Sequence, residues 1–248
     1  MIRTELEKDF WLYQIPAIEE NRLGLNICVL VDDKKVLLID AGYERECQEV
    51  LDDLEKRHLE VVKVLPTHFH PDHVQGLFLM NQPIVYGHPL AKNTLKRFYE
   101  EDEMKVLSPT KIIEDQEIIE FGAFKIRCFY TPGHSDCSLL FVINNQYVHF
   151  GDLYIKMDDG RDVLPYVSWA GVEDHLKSFG KMKDHQDKTI LISHGLCPVK
   201  KEDFIIGIKD RETYLQALLK SNNEIPAKEA VEGCKRPFEM MKWREAVR

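Results

Sequence analysis

Between Pro66 and Gly76 the chain reads PTHFHPDHVQG, which places His68, His70, Asp72 and His73 within six residues. Histidine is scarce, ten in 248 residues, so three in one short loop ask for a chemical reason. Neutral imidazole and carboxylate together suit zinc and similar divalent ions, whereas Mg²⁺ and Ca²⁺ prefer all-oxygen shells. At positions i and i+2 of an extended turn, His68 and His70 can point the same way and serve one ion. Asp72 and His73 then turn the other way as a helix begins. Taken alone, the stretch leaves a polar loop and a single three-ligand site as alternatives.

The elements that must position such residues are strands. VVKVL runs into His68-x-His70-x-Asp72-His73, FKIRCFY into His134, QYVHF into Asp152, KTILI into His194 and KKVLLI into Asp40. Each strand with a clear terminus therefore delivers an Asp or His to its C-terminal end. Seven candidate ligands, His68, His70, Asp72, His73, His134, Asp152 and His194, are too many for one tetrahedral ion. They suit two ions sharing a carboxylate.

Two hairpins are legible, Asn26–Val31 with Lys35–Ile39 across a charged turn, and SLLFVI with QYVHF across Asn144-Asn145. An amphipathic helix is expected over 44–57, a polar helix or excursion over 89–102, and helices in GVEDHLKSFGKMK and EDFIIGIKDRETYLQALLK. HVQGLFLM reads as a helix start. No low-complexity linker interrupts residues 1–248, so one domain is expected, with a helical C-terminal extension from about residue 200. The loose alternation of strands and helices fits an α/β (α+β) fold of stacked sheets flanked by helices.

Composition narrows the function. A net charge of −9 counts against a nucleic-acid partner, since phosphate binding generally needs a basic face. The N-terminus is charged from its third residue, and no run reaches the roughly 18 apolar residues of a membrane span. Six cysteines without a CxxC pair read as reduced, mostly buried thiols in a cytoplasmic protein.

At this point the residues resemble a known family. THFHPDH is similar to the HxHxDH signature of the metallo-β-lactamase fold superfamily; LLIDAG, TPGHS, FGDL and SHG resemble its other motifs, in order, over roughly residues 24–198. The resemblance implies a four-layer αββα sandwich with its metals at one edge of paired sheets. It implies that His68, His70 and His134 hold one ion, that Asp72, His73 and His194 hold a second, and that Asp152 bridges. Asp40 would orient the site by accepting a hydrogen bond from the other ring nitrogen of a ligating histidine. The cofactor expected is a pair of divalent ions, zinc first, with iron and manganese as alternatives.

Two adjacent dications lower the pKa of a shared water, so the reaction expected is attack by a metal-bridging hydroxide on an ester, thioester or lactone carbonyl. Asp72 is the expected proton acceptor or relay. Asp152 and His73 resemble the glyoxalase II, lactonase and phosphodiesterase branch, while true β-lactamases typically carry Cys in place of Asp152 or lack the bridge. A flavin-diiron protein would carry Glu in place of His70. The alternatives are a phosphodiesterase of the same fold and a persulfide dioxygenase-like oxidoreductase with one iron on His68, His134 and Asp152. The partner is a small-molecule substrate, with Tyr154, Tyr166 and Trp169 as candidate contacts. His149, Cys137 and Cys197 read as packed residues. The tail FEMMKWREAVR spaces Phe238, Met241 and Arg248 roughly as a helix would, to pack on the domain or on a second subunit of a homodimer.

Overall fold

A computed structural model describes residues 1–18, 23–167 and 171–242. The first hairpin pairs β3 (Leu25–Asp32) with β4 (Lys35–Ile39), and Asp33 takes the left-handed conformation its tight turn requires. Along β4 the burial alternates by destination. Val36 and Leu38 face one apolar cluster with Val50 and Leu54 of helix α1 (Glu44–Lys56), while Leu37 and Ile39 face another with residues of a second sheet. A strand covered on both faces must be apolar throughout, which explains the unbroken LLFVI of β10 (Leu139–Ile143), buried at every position.

The first sheet has seven strands in chain order: β1 (Ile2–Glu7), β2 (Phe10–Ile15), β3, β4, β5 (Glu60–Leu65), β6 (Ile84–Gly87) and β7 (Lys111–Ile112). The second comprises β8 (Ile118–Phe121), β9 (Phe124–Tyr130), β10, β11 (Tyr147–His149) and β13 (Thr189–Leu191), ordered β13-β11-β10-β9-β8. The turn between β10 and β11 holds Asn144 and Asn145 at φ 49° and 56°, as a type I′ hairpin demands. Helices α1, α3 (Ala91–Leu95) and α4 (Glu101–Leu107) cover the outside of the first sheet. Helices α5 (Val172–Lys183) and α6 (Lys201–Lys220) contribute Phe179, Met182, Phe204 and Leu215 to the cluster that includes the second sheet. The layers run helix, sheet, sheet, helix.

Of three local expectations, the first resolves to its second alternative and the other two are corrected. Residues 89–102 do not form one helix: α3 closes at Leu95, and Glu100, extended, caps α4 through a reciprocal box with Glu103. After the short α2 (Pro71–Val74), Gln75–Leu79 is a 3₁₀ turn. In the tail, α7 (Ala227–Ala230) is helical but β14 (Phe238–Glu239) is a strand, paired in parallel with β12 (Asp162–Val163). Arg248 lies outside the described residues. Among those described, no helix is long and apolar enough to cross a membrane.

Asn26 of β3 ties the sheets together at one edge. Its buried amide donates to the carbonyls of Ile192 (3.0 Å) and Gly195 (2.9 Å), and its backbone N–H donates to the Ser193 carbonyl (2.7 Å). Asn26→Leu keeps the volume but removes both amide donors from buried carbonyls. The expected loss is about 1–3 kcal/mol of unfolding free energy in a urea titration.

Candidate metal centre

The C-terminal ends of β4, β5, β9, β11 and β13 converge at the edge that Asn26 stitches. Two groups of donor atoms meet there, each within 4.8 Å of one another: His68, His70 and His134, and Asp72, His73, Asp152 and His194. In the first, His70 Nδ1 stands 2.9 Å from His68 Nε2 and 3.1 Å from His134 Nε2. In the second, His194 Nε2 stands 3.3 Å from Asp72 Oδ2, 3.3 Å from Asp152 Oδ1 and 3.4 Å from His73 Nε2. Asp152 Oδ2 is 3.4 Å from both His134 Nε2 and His73 Nε2, so one carboxylate touches both groups.

The far nitrogen of most rings is spoken for. His73 Nδ1 is 3.0 Å from Asp40 Oδ2, His134 Nδ1 donates to the Tyr166 carbonyl (3.2 Å), and His194 Nδ1 donates to the Gly24 carbonyl (3.0 Å). With Nδ1 engaged behind each ring, Nε2 is the nitrogen that faces the cluster and would offer its lone pair to a cation once it carries no proton. Asp40, completely buried, is itself held by the Thr67 N–H (2.7 Å), the Thr67 hydroxyl (3.0 Å) and the Ser193 hydroxyl (2.8 Å). It sits at φ 61°, a left-handed turn that swings the chain off β4.

The two groups differ in charge. Burial pushes His68 well below its ordinary range, His70 down to about 4 and His134 down to about 3, so these rings are neutral. Burial acts the same way on His73 and His194, but the carboxylates outweigh it. Asp40, Asp152 and Asp72 hold His73 well up, and Asp152 with Asp72 raises His194 to about 10. Against their own burial, Asp40, Asp72 and Asp152 are lowered by these imidazoliums.

The aromatic candidates separate. Tyr166 is half-buried with its ring 5.7 Å from that of His134. Tyr154 is completely buried, its ring under Arg211 and its hydroxyl donating to the Asp203 carbonyl, so a substrate contact there is corrected to a core role. Trp169 lies outside the described residues. His149, Cys137 and Cys197 are buried. Several residues at the centre escape a reading of motifs. Phe98, half-exposed, lies edge-on to His70 at 5.4 Å. Thr67 and Ser193 each precede a donor histidine, a signal available in PTHFH and ISHG. Gly24 and Tyr166 hold donor rings through their carbonyls, which no side-chain pattern reveals.

This chain matches the model of the Metallo-beta-lactamase superfamily over residues 22–194. It belongs to that superfamily. Hydroxyacylglutathione hydrolase of Enterobacter sp. (strain 638) is 24% identical over 218 residues, 88% of this chain and 78% of the relative. Glyoxylase B2 of Dictyostelium discoideum is 25% identical over 164 residues, 57% of this chain but only 55% of the relative. Among solved structures, a metallo-beta-lactamase family protein from Thermus thermophilus superposes with a TM-score of 0.65 at 21% identity, covering 91% of this chain and 87% of the other. The superfamily fold is the one described above.

The charge pattern sets a pH dependence. His194, raised from 6.5 to about 10, stabilises the metal-free fold below pH 6.5 and loses that contribution as pH rises through 10; His73 has the same sign. The lowered carboxylates have the opposite sign, contributing above their ordinary 3.8 and losing the contribution as pH falls. Calorimetry of chelator-treated protein should show the melting temperature falling from pH 6.5 to 10 more steeply than in metal-loaded protein.

Proposed function

We propose that this superfamily member is a binuclear metal-dependent hydrolase acting on an ester, thioester or lactone carbonyl. The observation that carries the reading is the position of Asp152, whose Oδ2 lies 3.4 Å from Nε2 of both His134 and His73. A carboxylate shared between two complete donor groups suits two cations held side by side, and the second group is more than a single cation needs.

The donor chemistry fits. Three neutral imidazoles form one group, and two imidazoles with two carboxylates form the other, the nitrogen and oxygen set that zinc-like ions take. The separations of 2.9 and 3.1 Å in the first group are a few tenths below the edges of about 3.4 Å in a tetrahedron of 2.0–2.1 Å bonds. When bound, such a pair of ions supplies a water acidified to near-neutral pKa and positive charge beside the developing oxyanion.

The chain's own residues do the rest. Asp40 locks the tautomer of His73, and the Tyr166 and Gly24 carbonyls do so for His134 and His194. Asp72 is the more open of the two cluster carboxylates, with 23% of its side chain exposed against 6% for Asp152. It takes the proton of the attacking water and passes it to the leaving group. Its lowered pKa makes it a relay and not a store. Phe98 gives the mouth beside His70 an apolar wall. The relatives named as hydroxyacylglutathione hydrolases support a thioester among the candidate carbonyls, and zinc is the proposed occupant.

Metal analysis of protein purified without added metal should return two zinc-like ions per chain, and Asp152→Ala should lower that number. One iron per chain with oxygen consumption would replace this reading by the mononuclear oxidoreductase. A panel of thioester, ester, lactone and phosphodiester substrates should show turnover confined to the carbonyl compounds. Asp40→Asn should weaken metal affinity about 10–100-fold, read by competition with a chromogenic chelator.

A further inference from the structure

We infer that the C-terminal segment 234–239 is a positioning strap for the metal centre, acting through Arg236 on the loop 155–166. This rests on the reading of His134 and His194 as ligands.

One loop touches a histidine of each donor group. At its start, the Lys156 N–H donates to the His194 carbonyl (3.3 Å), and the Met157 carbonyl accepts from Leu196 N–H (3.1 Å). Packing is close here: a Cβ on Gly195, at φ +83°, would stand 1.9 Å from the Lys156 carbonyl oxygen. At its other end, the Tyr166 carbonyl accepts from His134 Nδ1 (3.2 Å). Between these contacts the loop closes a small hairpin on itself, with Met157 N–H donating to the Arg161 carbonyl (2.9 Å) and Val163 N–H to the Ile155 carbonyl (3.3 Å). The outer edge of the two-residue β12 is left for a partner from elsewhere.

The C-terminal segment supplies that partner. Phe238 and Glu239 pair with Asp162 and Val163, and Leu164 N–H donates to the Glu239 carbonyl (3.1 Å). The segment is fixed in turn by Asp210, whose carboxylate accepts from the backbone N–H groups of Lys235 (2.7 Å) and Arg236 (3.2 Å). The Arg236 side chain then spans the join. Its Nε lies 3.2 Å from Asp162 Oδ2, and its two terminal nitrogens donate to the Asp203 carboxylate (3.2 Å) and carbonyl (2.5 Å) on α6.

Asp162 is the node. Its buried carboxylate also takes Lys156 (3.2 Å) and Arg211 (3.0 Å), both buried. Three cations around one dry carboxylate are costly to assemble, and the node sits between the loop's two contacts with the donor histidines. Apolar packing could cover α6, but it would not fix the loop's backbone register. The ion node does so.

The test compares ring Nδ1–H exchange in full-length, metal-free protein by histidine NMR. His73 is held by Asp40 and does not touch the loop, so it is the internal control. In Arg236→Gln the His134 Nδ1–H should exchange about tenfold or more faster while His73 is unchanged, and zinc affinity should fall about 10–100-fold. Arg236→Lys, which keeps the charge near Asp162, should restore part of both, and it replaces Arg236→Gln if that variant does not fold. Equal acceleration at both rings, or none at either, would overturn the inference, because a merely stabilising tail loosens the whole molecule. Since this readout needs no metal and no turnover, it can succeed where the hydrolase reading fails.

Discussion

Five imidazoles and three carboxylates crowd the edge of a dry sandwich, and each charge buried there needs an opposite charge or a hydrogen-bond donor beside it. Asp40, Asp72 and Asp152 face His73 and His194, which carry the positive charge in the metal-free chain; His68, His70 and His134 stay neutral. An unpaired charge at this depth would cost several kcal/mol, more than a single packing contact returns. The arrangement of strands follows from this constraint. Donors must arrive from both sheets, so five strand ends meet at one edge, and Asn26 and Asp40 join the sheets there.

The proposed chemistry uses the same imbalance. One histidine group is already in the neutral form that a cation takes, whereas the other must give up protons to receive one. Asp152 belongs to both, which links the two events through a single side chain. The superfamily fold supplies the edge; the hydrogen bonds behind each ring decide which nitrogen faces inward.

Much of this is legible in the residues because the signals are local. His68-x-His70-x-Asp72-His73 is one loop, and the later donors each follow a recognisable strand. Period-two patterning could not mark β1, whose first four residues are all exposed, or β14, whose two residues pair only with another short strand. Glu100 starts α4 through its capping box with Glu103, well after α3 has closed at Leu95, and the pattern of residues between them does not mark the break. Tyr154 sits two residues from Asp152, yet the 3₁₀ turn between them sends it into the core under Arg211. Gly24 and Tyr166 hold histidines with backbone oxygens, and a carbonyl has no letter of its own.

Asp40 combines two requirements that seldom coincide. Its φ of 61° belongs to the region where Asp, Asn and Gly are tolerated and branched or bulky side chains are strained. Its carboxylate meanwhile accepts from Thr67 and Ser193 and faces His73. The residues that can replace it without bending the chain are therefore also those that remove only its charge or only its side chain. Position 40 is a place where sequence drift can dim the metal centre and leave the scaffold intact, so an inactive descendant of this chain would be expected to change there while keeping its shape.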